Sequence, residues 1–178
     1  TSMPATVDID NDGDCDIFVG RADGTIQYIR NDGGLTFVMV VGAGNPLDGI
    51  DVGNRSAPTF GDIDGDGDQD CFIGGLVSAP TPHVSFYKNN GNASTPNFGS
   101  GSNPLSLVNV LNATPVLVDF DKDGDLDAFV GRFNGIVKYY RNDGNAINPF
   151  FTLIAGSDNP LSTVSVGANA NIGISDVD

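Results

Sequence analysis

Apolar positions along this chain come in short runs of strand length, each closed by glycine, asparagine or proline. The run Ile17-Phe18-Val19-Gly20 recurs as Phe72-Ile73-Gly74-Gly75 and as Phe129-Val130-Gly131. A second run follows each of these. It reads Tyr28-Ile29-Arg30-Asn31-Asp32-Gly33, then Phe86-Tyr87-Lys88-Asn89-Asn90-Gly91, then Tyr139-Tyr140-Arg141-Asn142-Asp143-Gly144. Further on, Asn45-Pro46-Leu47 returns as Asn103-Pro104-Leu105 and Asn159-Pro160-Leu161. Pro4, Pro58 and Pro115 lead the units, with Ile172 breaking the series. A whole supersecondary unit therefore repeats, first after 54 residues and then after 57. That period belongs to propellers and solenoids.

Each unit reads as four strands. In the third, they are expected at Pro115–Val118, Leu126–Gly131, Ile136–Arg141 and Phe150–Ile154. Tight turns at Phe133-Asn134-Gly135 and Asn142-Asp143-Gly144 join the later ones. Such strands are too short and too apolar to stand alone, so each sheet must pack on its neighbours. The expected fold is all-β, with antiparallel four-stranded propeller blades at 1–57, 58–114 and 115–171 and the start of a fourth at 172–178. The blades would form part of a larger ring or an open, polymeric array. Length differences fall in turns: Ser78-Ala79-Pro80-Thr81-Pro82-His83 lengthens the second unit, and three extra residues lengthen the third between its last two strands. The chain begins at Thr1 and ends inside a motif, and reads as an excerpt from a longer protein.

Between the first two strands of each unit lies Asp-x-Asp-x-Asp-Gly-x-x-Asp, spanning residues 8–16, 62–70 and 119–127. So many carboxylates in one short loop stay compact only where a cation cancels their repulsion, and a hard dication with oxygen ligands does so. Aspartates at positions 1, 3 and 5 turn inward. The glycine at position 6 provides a bend that a side chain would obstruct, position 7 offers its carbonyl, and the position 9 aspartate closes the shell. The first ligand set is Asp8, Asp10, Asp12 and Asp16 with the carbonyl of Asp14. The second is Asp62, Asp64, Asp66 and Asp70 with that of Asp68, and the third Asp119, Asp121, Asp123 and Asp127 with that of Asp125. Asp176 and Asp178 begin a fourth copy. One Ca²⁺ per complete unit, three in all, is the expectation; oxygen-only ligation excludes zinc and copper and disfavours Mg²⁺. An EF-hand is excluded, because position 12 would need a glutamate and is Val19, Ile73 or Val130.

The charge agrees with this reading. All 23 acidic residues are aspartate, 17 of them in these motifs, so the net charge of −15 is mostly site charge. Three dications would leave −9, which still excludes nucleic acid and anionic membrane as partners. The 24 glycines, 18 asparagines and 10 prolines disfavour helices. No apolar run has transmembrane length and no signal peptide is visible, so membrane insertion is not expected. Cys15 and Cys71 are expected as two buried free thiols with no disulfide. Sequons at Asn54, Asn92 and Asn112 are candidate glycosylation sites, the first and last on connectors between units.

The acidic loop, the apolar strand ending in glycine and the Tyr-x-x-Asn-x-Gly turn together resemble the FG-GAP or VCBS repeat, which also builds the propeller of integrin α-subunits. The resemblance spans three units and the start of a fourth. It implies calcium at the positions named and a seven- or eight-bladed ring. The Phe-Gly of the family name survives only at Phe60-Gly61. Three units cannot close a ring, so other repeats of this or a neighbouring chain are the expected partners.

Catalysis has little to work with: His83 is the one histidine, glutamate is absent, and the paired carboxylates belong to the loops. The expectation is a non-enzymatic, extracellular or cell-surface module with a structural or adhesion role. One alternative is a fibre subunit of stacked blades. Another is a module for binding cell-surface proteins or polysaccharides attached to a secreted enzyme, for which the 78–83 insertion, Phe133 and Tyr139 are the candidate contacts.

Overall fold

A computed structural model describes residues 2–76, 84–106, 108 and 110–174. Within these residues twelve strands form three four-stranded antiparallel sheets, each a meander whose spatial order follows the chain. The first sheet is β1 (Met3–Val7), β2 (Asp16–Gly20), β3 (Ile26–Asn31) and β4 (Phe37–Val40). The second is β5 (Ala57–Gly61), β6 (Asp70–Gly74), β7 (Val84–Asn89) and β8 (Phe98–Ser100). The third is β9 (Thr114–Val118), β10 (Asp127–Gly131), β11 (Val137–Asn142) and β12 (Phe151–Ile154). Strands β5 and β9 begin one residue before the boundaries read from the repeat. Among the described residues, helix is limited to 3₁₀ turns at Gly42–Gly44 and Gly156–Asp158, and none is long and apolar enough to cross a membrane.

The sheets stack as propeller-type blades without closing. The innermost strands β1, β5 and β9 lie beside one another. With 171–174 they line a cavity of about 280 Å³. Each leading proline sits in this inner strand, opposite Val19, Ile73 or Val130 of the next one. An inner edge strand tolerates the missing N–H.

Each interface between blades is a core. Blade one offers Phe18, Tyr28, Ile26 and Leu47, and blade two meets them with Cys71, Ile73, Phe60 and Tyr87. The opposite face of blade two contributes Phe72, Val84 and Leu105, against Ala128, Val130 and Tyr140 of blade three. The outer face of blade three carries Phe129, Val137 and Tyr139, packed by Ala170, Leu161 and Ile172. A cross-strand aromatic pair marks the same face of every blade: Phe18–Tyr28, Phe72–Phe86 and Phe129–Tyr139, with ring centroids 4.6–4.7 Å apart. The middle strands β6 and β10 are buried throughout, whereas β2 alternates, because only one of its faces has a neighbour.

Two repeated residues fix the connections. The asparagine of Asn-Pro-Leu donates to the carbonyl of Ile26, Val84 or Val137 and accepts from the leucine N–H two residues on. It thereby ties the connector to the third strand of its own blade. The glycine ending the second strand answers a close approach: a Cβ on Gly20, Gly74 or Gly131 would lie about 2 Å from the carbonyl oxygen of Ser56, Ala113 or Ala170.

Several sequence expectations change. Cys71 is buried in β6, but Cys15 is exposed, because it precedes β2 and is still in the acidic loop. Tyr139 is buried and hydrogen-bonded, so it is no surface contact; Phe133 is exposed. Asn112 is buried with its amide donating to Asn169, which is incompatible with a glycan there, whereas Asn54 and Asn92 are exposed. The turn between the last two strands is as long in blade two as in blade three, since β8 starts late and is short. The 78–83 insertion with His83, and Asp176 and Asp178, lie outside the described residues.

Candidate metal centre

The three acidic loops join the first and second strands at the same end of each blade. Their curl is built from backbone conformation. Position 4 has positive φ in all three (Asn11 56°, Gly65 72°, Lys122 63°), and so does position 6 (Gly13 94°, Gly67 89°, Gly124 98°). No atom lies within 4 Å of where a Cβ would stand on Gly13, Gly67 or Gly124. The glycine is thus needed for its φ and not, as the sequence reading had it, to avoid obstruction.

The position 1 carboxylate holds the curl from inside. Asp8 accepts from the N–H groups of Asp12 and Gly13, Asp62 from Gly65 and Gly67, and Asp119 from Asp123 and Gly124, at 2.8–3.2 Å. Position 5 accepts from the N–H of position 7 in each loop. These bonds bring three carboxylates together. Ligand atoms of Asp8, Asp10 and Asp12 all lie within 4.8 Å of one another, as do those of Asp62, Asp64 and Asp66, and of Asp119, Asp121 and Asp123.

Positions 7 and 9 lie outside those triads. At position 7, Asp68 and Asp125 are buried, and one oxygen of each has no hydrogen-bond partner. Burial, joined by the charge of Asp66, pushes Asp68 up to about 6. Burial and the charges of Asp123, Asp127, Asp121 and Asp119 push Asp125 to the same range. Asp14 is less buried.

At position 9, Asp16, Asp70 and Asp127 are almost fully buried and bind the third strand of their own blade. One oxygen of each accepts the N–H of Asn31, Asn89 or Asn142 at 2.7–2.8 Å. The other accepts the hydroxyl of Tyr28 on Asp16 and of Tyr139 on Asp127. Phe86 replaces that tyrosine in blade two, leaving Asp70 Oδ2 without a partner. Burial raises all three carboxyls, Asp70 to about 6, against hydrogen bonds that hold them down. Burial and the adjacent carboxylate push the Tyr28 and Tyr139 hydroxyls far up, so both stay protonated donors.

The residues fit a hard divalent cation. Asp10 Oδ1 and Asp64 Oδ1 at position 3, like the position 7 oxygens, are buried without a donor, and every convergent group is oxygen. Sequence reasoning missed the tyrosine and main-chain partners of position 9, although the Tyr28, Phe86, Tyr139 alternation was visible. It also missed Lys88, whose ammonium pairs with Asp64 and lies 3.2 Å from Asp66.

A search of curated proteins finds no match. The family model of the FG-GAP-like repeat matches residues 8–73, a stretch running from the first aspartate of the first loop into β6. That stretch is an FG-GAP-like repeat, the family that the loops and strands of this chain resemble.

Proposed function

We propose that this propeller-type repeat module is a calcium-stabilised structural or adhesion scaffold working outside the cell. One observation carries the reading: the same three carboxylates converge in every loop, at Asp8, Asp10 and Asp12, at Asp62, Asp64 and Asp66, and at Asp119, Asp121 and Asp123. Around each ion, the position 7 carbonyl and the position 9 carboxylate would complete the set. The ion would supply the positive charge that lets the loop stay folded. The protein's own share is to hold the loop on two strands, since position 1 braces the curl and position 9 ties it to the third strand. Extracellular modules of this kind bind calcium at roughly 10⁻⁴–10⁻³ M, a range met outside cells. We read the chain as non-enzymatic, because the convergent carboxylates are taken up by the loops.

Equilibrium dialysis tests the reading. Binding is expected to approach three Ca²⁺ per chain as calcium is raised through about 1 mM to about 10 mM, with Asp10→Asn or Asp121→Asn each removing one. A chain that holds none across that range contradicts it.

A second reading, a fibre subunit of stacked blades, is favoured by the apolar residues left exposed toward both ends. Phe37 and Met39 are exposed on blade one, and Phe120 is exposed beside Phe129 and Tyr139 on the free face of blade three. Blade surfaces of this kind are what the two internal interfaces bury.

A further inference from the structure

The three acidic loops are alike in backbone and differ in their neighbours. At one position of the third strand stand Arg30, Lys88 and Arg141. Arg30 is held by Asp32 two residues on, with Nε 2.5 Å from Oδ1, and Arg141 by Asp143 at 2.6 Å. In blade two the residue two on is Asn90, which has no charge to offer and instead donates to the carbonyl of Lys88. Lys88 reaches the other way, and its ammonium binds Asp64 and Asp66, two of the three convergent carboxylates of the second loop. Among the described residues no ion pair reaches the first or third loop. The same cleft beside the loop lies between blades one and two and between blades two and three. Arg30 lines the first with Asp10, and Lys88 lines the second with Asp64.

We infer that Lys88 is a built-in competitor for the cation of the second loop, which therefore fills last as calcium rises. This rests on the calcium reading above. A partly exposed ion pair stabilises little by itself. Here, however, it must be broken before those two carboxylates can turn to a metal, and the displaced ammonium stays tethered nearby. The expected handicap is on the order of tenfold in calcium affinity. A module with two tighter loops and one looser one would respond to calcium in two steps.

The test is an NMR calcium titration of the whole chain, following the amides of Gly13, Gly67 and Gly124 as reporters of the three loops. Gly67 is expected to saturate at roughly tenfold higher calcium than the other two. Lys88→Gln should bring Gly67 into line and leave Gly13 and Gly124 unmoved. Asn90→Asp, which restores the local partner found in the other blades, should do part of the same. In the Lys88→Gln background it should add much less, since there is no longer an ammonium to recapture. Saturation of all three glycines together in the unaltered chain, with Lys88→Gln moving none, overturns the inference and leaves calcium binding standing. No saturable shift at any of the three overturns the calcium reading and this inference with it.

Discussion

Asp16, Asp70 and Asp127 occupy the same place in three blades but do not keep the same company. Tyr28 and Tyr139 each donate a hydroxyl to their aspartate, and Phe86 cannot. Phe86→Tyr is therefore expected to stabilise the metal-free chain by about 1 kcal/mol, and Tyr139→Phe to cost about 1–2 kcal/mol, in urea unfolding with chelator. A loss of stability in Phe86→Tyr would mean that Asp70 Oδ2 is satisfied some other way. The raised carboxyls set a pH dependence as well. Asp68, Asp70 and Asp125 sit near 6 when folded, against about 3.9 unfolded, so the folded chain binds protons more tightly. Without metal, stability should fall as pH rises from about 4 through about 6, and then level off. Calcium needs the ionised form, so the melting-temperature gap between calcium and chelator should shrink as the solution is acidified. Calorimetry across that range checks both. A chelated chain that weakens on acidification from neutral to about 5 would contradict the first.

At the scale of the strand, the sequence was most legible where period and alternation agree. The strands expected in the third unit differ from β9 to β12 by one residue at their ends. Local pattern could not reveal what the neighbouring blade demands. Gly20, Gly74 and Gly131 read as mere strand endings, yet the carbonyl of the next connector leaves no room for a Cβ. Gly13, Gly67 and Gly124 read as steric necessities and stand in open space. The two classes should respond differently to alanine. Gly74→Ala is expected to cost about 3 kcal/mol or more, through displaced backbone, and Gly67→Ala about 1–2 kcal/mol, through its φ alone. Equal costs in denaturant unfolding would refute that distinction. The loops were legible as triads because aspartate spacing is local, whereas the Lys88 pair was hidden because it depends on an absent charge at Asn90, 26 residues from Asp64 in sequence.

For the whole molecule, a chain of net charge −15 holds its blades together through two apolar interfaces while its loops repel themselves. Each loop is fastened to its own blade by position 9, and each blade presses the next through strands adjoining that loop. Relief of the repulsion should therefore stabilise the stack as a unit. The direct measurement is thermal unfolding in about 1 mM calcium against excess chelator at neutral pH. Two sites contributing on the order of 1 kcal/mol each, and the handicapped second loop less, should raise the melting temperature by roughly 4–10 °C. An identical melting temperature in the two solutions would contradict the account.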